Sequence, residues 1–348
     1  MPELLSPPPH TEALAAGAWR FELARGARAE ALSAALATNA FQHRAWVRAV
    51  AAARGRTHEF VAVQAQRPDS VSPVLFGGLH RRAGLAVFES MPMGGYGGWV
   101  CDGALSLDEE RALTASWLRQ APWPLVRLTS EPGRAAALPQ AAVWPLPRRL
   151  QRRLQRREFE THVLDLSSDD AQRLQRVKPS VRSYLRRVDA LGFEFLRGGE
   201  DALAAFGAFY RRGSLGWVVA SGALLPEAFF SALHGDGRLE VWRARRDGRL
   251  LASAAFLLGC GQVQYQASGS DKVAGPVSAM DALLWTAAGH YRARGFNGLN
   301  LGASEGLDSV RRFKEKFGAQ PLAYRCETYL MPRLAGRLGL GAGTKASP

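Results

Sequence analysis

The stretch at residues 300–321, NLGASEGLDSVRRFKEKFGAQP, decides how the second half of this chain is read. It begins as the end of a strand, passes through a loop of small residues and continues as a short basic helix. Val310, Phe313 and Phe317 stand at i, i+3 and i+7 and so share one helical face. Asp308 or Ser304 can cap the start, and Gly318 can end the helix. Arg311, Arg312, Lys314 and Lys316 are then expected on the flanks and the solvent side. Because the helix follows the strand-like FNGLNLG, its first free N–H groups open toward Gly302, Ala303 and Ser304. A lysine beside such a terminus suits an anion or a developing oxyanion. The same pattern also fits an ordinary amphipathic helix with a solvated basic face.

Upstream, the second half reads as an alternation of strands and helices. THVLDLS is a strand, and Lys178-Pro179 opens a helix whose apolar face is Val181, Tyr184, Leu185, Val188 and Leu191 before Gly192 stops it. FEFLR follows as a strand, then helical stretches around 200–212 and 226–234. RLEVWRARR and LLASAAFLLG are joined by the Asp247-Gly248 hairpin turn. QVQYQASGS is another strand, 278–294 a helix, and AYRCETYLM the closing strand. This order predicts an α+β layout. The first half is a rougher version: helix FQHRAWVRAVAAA, strands HEFVAVQ, PVLFGGLHRR and LAVFES, helix SLDEERALTASWLRQA and strand PLVRLTS.

The chain has 348 residues, enough for about two domains. Between the halves, WPLPRRLQRRLQRRE (144–158) carries six arginines in residues 148–157 and reads as a linker. The expected division is an N-terminal unit at 1–150, a second at 151–333 and a flexible tail at 334–348. A net charge of +14 favours an anionic partner such as nucleic acid or a nucleotide-bearing substrate, and an arginine-rich composition without function is the other reading. Cys101, Cys260 and Cys326 are an odd number without metal or redox spacing. They point to a reducing cytoplasm and neither disulfides nor zinc. MPELLSPPPHTEALAAGAW lacks the pattern of a signal peptide, and LLASAAFLLGC is too short to span a bilayer.

Among further candidates, the glycine-rich MPMGGYGGWV lacks the Lys-Ser/Thr of a phosphate loop. It reads as a tight turn beside a pocket with Tyr96 and Trp99 as walls. His162, His234 and His290 are isolated and read as structural. Glu305, Asp308 and Asp271 are candidate bases that the sequence does not rank.

Three stretches in this order carry a resemblance. FQHRAW with SMPMGGYGGWV, then RVKPSVRSYLRRVDALGFEF, then YQASGS with LNLGAS and VRRFKEKFGA are similar to segments of the Fem-type aminoacyltransferases and their GNAT relatives. The resemblance spans about residues 41–330. It implies two tandem GNAT-like domains, each a mixed, mainly antiparallel sheet flanked by helices, the second holding the active groove. It implies that Lys314 supports the donor's phosphate or the oxyanion and that Tyr265 lines the acceptor pocket. Arg212 and Trp217 are placed in the loop over that pocket, and Ser268, Ser270, Ser304 and Phe313 join Tyr96 as substrate-binding candidates.

The acyl-CoA loop Arg/Gln-x-x-Gly-x-Gly/Ala is not matched: DKVAGPV has Pro276, which lacks an amide, and Val277 where a small residue is needed. The coiled-coil arm of some Fem enzymes has no counterpart either. The expected activity is N-acyl transfer from acyl-CoA or aminoacyl-tRNA to an amine-bearing acceptor in cell-envelope or exopolysaccharide metabolism. No tightly bound cofactor or metal is expected. The competing reading is a non-catalytic basic protein of the same fold that binds RNA or another anionic polymer.

Overall fold

A computed structural model describes residues 19–67, 71–139, 157–199, 201–221, 224–271, 278–304 and 306–330, with only the backbone for 213–221. The arginine run at 148–156, the DKVAGPV loop after Asp271, Glu305 and the tail lie outside these residues. So does the side chain of Trp217.

The strands are β1 (Arg20–Arg25), β2 (His58–Gln66), β3 (Val74–Arg82), β4 (Leu85–Glu89), β5 (Trp99–Val100), β6 (Leu125–Thr129), β7 (Arg157–Asp165), β8 (Glu194–Arg197), β9 (Leu239–Arg246), β10 (Arg249–Leu258), β11 (Gln262–Ser270), β12 (Gly298–Ala303) and β13 (Gln320–Leu330). They form one 13-stranded sheet in the order β1-β2-β3-β4-β6-β13-β7-β12-β11-β10-β9-β8, with β5 beside β3. Read outward from the β13–β7 pair, the two sides match. Each has an antiparallel meander and one parallel pair, β4 with β6 on one side and β11 with β12 on the other. The centre is shared, because β13 bonds to β6 of the first half and to β7 of the second.

Local sequence explains most elements. Ser106 and Glu109 close a capping box on the helix Leu107–Gln120. Asp247 and Gly248 both take positive φ in the β9–β10 hairpin, as a type I′ turn requires. Ser278 accepts from the amide of Asp281 at the start of the helix Ala279–Ala293.

Some expectations needed correction. The helix opened by Pro179 ends at Leu185, and Val188–Leu191 follow as a separate 3₁₀ turn. A further helix, Asp170–Arg176, precedes it. The stretch around 200–212 continues to Ser221, so Arg212 and Trp217 belong to the helix Ala202–Ser221 and not to a loop. This helix is held against β11, where a Cβ on Gly269 would come within 2.3 Å of the Phe209 carbonyl oxygen.

One apolar core crosses between the halves. Trp46 of the helix Arg44–Arg54 meets Phe229 of the helix Glu227–Gly235 edge-on, with ring centroids 5.3 Å apart. Phe41, Tyr96, Phe206 and Phe230 belong to the same cluster. Burial of these aromatics joins the halves beyond the shared strands.

Candidate active site

The site follows from a break in the sheet. β11 and β12 pair in parallel through Gln262–Gln264 and Gly298–Asn300, and there the pairing ends although both strands continue. The register of β11 against β10 also slips between Ala255 and Phe256, which leaves Gln266 as an extra residue on β11. Two side chains serve backbone groups at this break. The Gln264 amide donates to the Tyr265 carbonyl at 3.2 Å, and Asn300 Oδ1 accepts from Gly302 N–H at 2.8 Å.

The parting strands open a cleft of about 810 Å³. One wall is the 265–270 stretch of β11. The opposite wall is Leu301–Ser304 with the helix Asp308–Glu315. Phe41, Trp46 and Tyr96 of the first half also line it. Here the two N-terminal motifs meet, since Trp46 Nε1 donates to the Pro92 carbonyl at 2.8 Å. A second cleft of about 930 Å³ lies alongside and shares Met93, Gly94, Ala303, Ser304 and Tyr324 with the first.

Of the candidates, Tyr265, Ser268, Ser270, Ser304, Phe313, Lys314 and Tyr96 all line the first cleft. Trp99 does not. It is buried in the core of the first half, where its Nε1 donates to Thr114 at 3.0 Å. Arg212 is exposed on its helix, paired with Asp271 at 3.2 Å and stacked on Phe209, rather than placed in the cleft lining.

Lys314 differs most from expectation. It is only 3% exposed, not on the solvent side, and its Nζ donates to the carbonyls of Gly302 and Ala303 at 2.7 Å each. The helix turns it inward because Phe317, three residues on, is buried in the core. The helix itself is capped neither by Asp308 nor by Ser304; its N-cap is Leu307, without a side-chain bond.

Tyr265 shares a short hydrogen bond with the Ser268 hydroxyl and lies 3.7 Å from Met280 Sδ. Burial and, to a lesser degree, the Asp281 charge push its hydroxyl up to about 12, against the Ser268 bond, so it is protonated across the physiological range. Tyr96 is part of a polar chain: its hydroxyl donates to Thr161 at 2.9 Å, and Thr161 donates to Asn300 Oδ1 at 2.6 Å. That chain links the first half to the backbone at the break.

Asp281 escaped the sequence reading. It is 2% exposed, lines the cleft, and accepts from Lys316 Nζ at 2.7 and 2.6 Å and from the Tyr184 hydroxyl. Its signal was present as an acid three residues after Ser278, the pattern of a capped helix start. Of the named bases, Asp271 is tied to Arg212 and Arg249, and Asp308 to Arg311. His162 is fully buried beside Glu160, and burial first, then the Lys314 charge, lowers its pKa. No cluster of three or more metal-binding side chains occurs among the described residues. None of the described helices is long and apolar enough to cross a membrane.

Residues 171–315 match the family model described as "Acetyltransferase (GNAT) domain". Among solved structures, FemX is similar with a TM-score of 0.63 and 12% identity, over 92% of this chain and 100% of that one. A tandem GNAT protein from the clavulanic acid biosynthesis pathway is similar at 0.42 and 13%, over 89% and 98%. The C-terminal domain of a putative lysylphosphatidylglycerol synthetase from Agrobacterium fabrum is similar at 0.43 and 14%, over 72% and 80%. No curated protein matches significantly. The α+β fold of two tandem GNAT-like halves, expected from the sequence, is the fold found, and the matched domain contains both β11 and β12.

Proposed function

We propose that this chain, which carries a GNAT acetyltransferase domain over residues 171–315, is an N-acyltransferase acting on an amine-bearing acceptor in the cytoplasm. The observation that carries this reading is the parting of β11 and β12 after Gln264 and Asn300. It leaves strand-edge amides facing a cleft large enough for two substrates. In the proposed reaction the neutral acceptor amine attacks the acyl carbonyl carbon, so a C–N bond forms. The C–O or C–S bond to the donor then breaks, and the amine's proton passes to the leaving group.

The chain's residues fall into place around those steps. Main-chain amides of the bulged β11 serve the oxyanion, as fixed donors do in acyl transfer. Tyr265 stays protonated and so can give a hydrogen bond or a proton but cannot act as a base. Lys314 holds the Gly302–Ala303 carbonyls and brings positive charge to the same wall. Ser268, Ser270, Ser304, Phe313 and Tyr96 contact the substrates. Positioning supplies the rest, which accounts for a site without a nucleophile.

The net charge of +14 and the paired clefts favour a large anionic donor, charged tRNA ahead of acyl-CoA. Calorimetric titration with acetyl-CoA and separately with aminoacyl-tRNA tests this. Binding of tRNA, followed by aminoacylation of a primary amine, is the expected result. Micromolar acetyl-CoA binding alone reverses the donor order. Silence toward both rejects the enzyme and leaves the non-catalytic binding protein.

A further inference from the structure

The second cleft has its own chemistry. Arg54 and Arg127, which line it, approach one carboxylate, Glu89, at 3.3 and 3.2 Å. Glu89 is 4% exposed, so two guanidiniums share one buried negative charge and the wall keeps a net positive charge. The carboxylates that also line this cleft, Glu158, Glu160 and Asp308, have side chains 62%, 50% and 72% exposed. Water and salt screen such groups far more than the half-buried arginines. The start of the helix Asp308–Glu315 also lines this cleft, and its N-cap Leu307 supplies no side-chain acceptor. The amides of Asp308 and Ser309 precede its first intrahelical bond, from Val310 N–H to the Leu307 carbonyl at 3.0 Å.

A separate observation points to a ligand here. Ser304 lines both clefts, is 8% exposed, and its hydroxyl is buried without a hydrogen-bond partner among the described residues. A buried hydroxyl in that state destabilises the folded chain. Such a cost persists where a bound group supplies the missing bond.

We propose that the second cleft is the acceptor's recognition arm and binds an oxyanion of that molecule, a carboxylate or a phosphate ester. The assignment rests on the acyl-transfer reading for which substrate is held, not for whether the oxyanion binds. The arginine wall and the helix start hold the oxyanion. Ser304 contacts the ligand where the cleft opens into the first one, and directs the amine toward the break between β11 and β12. The acceptor class is therefore an amine that also carries an acidic group.

The test reads binding without any donor, so its failure is separate from failure of the transfer reaction. Melting temperature of the full-length chain is followed with inorganic phosphate, with glycine and with glycinamide, which lacks the carboxylate. Ligands that bind the folded state raise it. Phosphate or glycine is expected to raise it and glycinamide not to; the arm that responds names the oxyanion. Arg127→Gln and Ser304→Ala should each reduce the shift at least five-fold, while Arg312→Gln, exposed on the same helix outside both clefts, keeps it. Unliganded Ser304→Ala should melt at or above wild type, since it loses only an unpartnered hydroxyl. If Arg127→Gln fails to fold, Ser304→Ala decides alone. No shift with either oxyanion, a shift preserved in Ser304→Ala, an equal loss in Arg312→Gln, or a lower melting point for unliganded Ser304→Ala overturns the proposal.

Discussion

Lys316 and Asp281 form an ion pair at the edge of the cleft, with Nζ at 2.7 and 2.6 Å from the two carboxylate oxygens. The pair ties the turn after the helix Asp308–Glu315 to the first turn of the helix Ala279–Ala293. Lys316 also lies 4.5 Å from the Phe313 ring centroid. Removing the lysine leaves a buried carboxylate with Tyr184 as its remaining side-chain donor. Lys316→Met should therefore cost about 3 kcal/mol, the scale of a broken buried pair. The double variant with Asp281→Asn should recover much of that loss. Urea denaturation of the four proteins of the cycle measures the coupling, and additive losses would show that the pair contributes nothing.

Lys314 is predicted to matter for stability as well as for transfer. Lys314→Ala takes the donor from the Gly302 and Ala303 carbonyls. The expected loss is roughly 2–4 kcal/mol, from two backbone acceptors left short of a partner. Acyl transfer, measured at a temperature where the variant is folded, should fall by about 10²–10³, the usual effect of losing positive charge near an oxyanion. Wild-type stability would contradict the described geometry, and wild-type turnover would contradict the proposed role.

Tyr265→Phe separates proton donation from packing. The ring contact with Phe256 survives while the hydroxyl's bond to Ser268 and its contact with Met280 Sδ are lost, so the melting temperature should fall only modestly. Turnover should drop by about 10²-fold if the hydroxyl serves the leaving group. With the hydroxyl at about 12, the wild-type rate should show no alkaline fall from this residue up to pH 10. A fall near pH 10 that vanishes in the phenylalanine variant would show that burial does not hold the proton as described.

His58 and His80 face each other across β2 and β3, stacked with ring centroids 4.6 Å apart, next to Glu89, Arg54 and Arg56. Burial first, with the neighbouring histidine and arginines and against the pull of Glu89, brings His80 down to about 4. The unfolded chain titrates near 6.5 and so takes up a proton that the folded state refuses. Stability is complete above that value and is lost as pH falls from about 6.5 to 4. His80 can account for up to about 1.4 kcal/mol per pH unit in that window. The melting temperature should fall between pH 7.5 and 5, and His80→Gln should flatten the slope. An unchanged slope in that variant would assign acid sensitivity elsewhere, His43 being next, since burial also lowers it to about 4.

Gly269→Ala should be among the most damaging small changes in the chain. The new methyl would meet the Phe209 carbonyl carbon and oxygen, both backbone atoms that cannot step aside. The helix Ala202–Ser221 would have to leave β11. Lost near-ultraviolet circular dichroism is the expected readout, and a native spectrum would show that the helix docks with slack.

Periodicity and turn chemistry alone determined most strands and helices of the second half. The Asp247-Gly248 hairpin, the helix at 279–293 and the aromatic face at Phe313 and Phe317 depend on neighbours within a few residues. Those interactions leave a mark in the local sequence. The cleft-lining residues Tyr265, Tyr96 and Lys314 were legible too, through the motifs that surround them. The inward turn of Lys314 was not, because a lysine bonded to carbonyls eleven and twelve residues away looks the same as a solvated one.

The tertiary structure alone decided three further points. β13 bonds to β6 and β7 together, which makes one sheet of two halves, and no local pattern encodes a pairing between residues 326 and 129. The ion pair of Asp281 with Lys316 joins positions 35 apart in sequence. The cleft exists because β11 and β12 pair for three residues and then part. Strand propensity extends past that point on both strands. Where pairing stops is set by the bulge at Gln266, the positive φ of Gly302 and the side chains of Gln264 and Asn300 that serve the freed backbone. The strand pairing and the ion pair join residues far apart in sequence, and the local devices at the break act only once β11 and β12 have met in the folded chain.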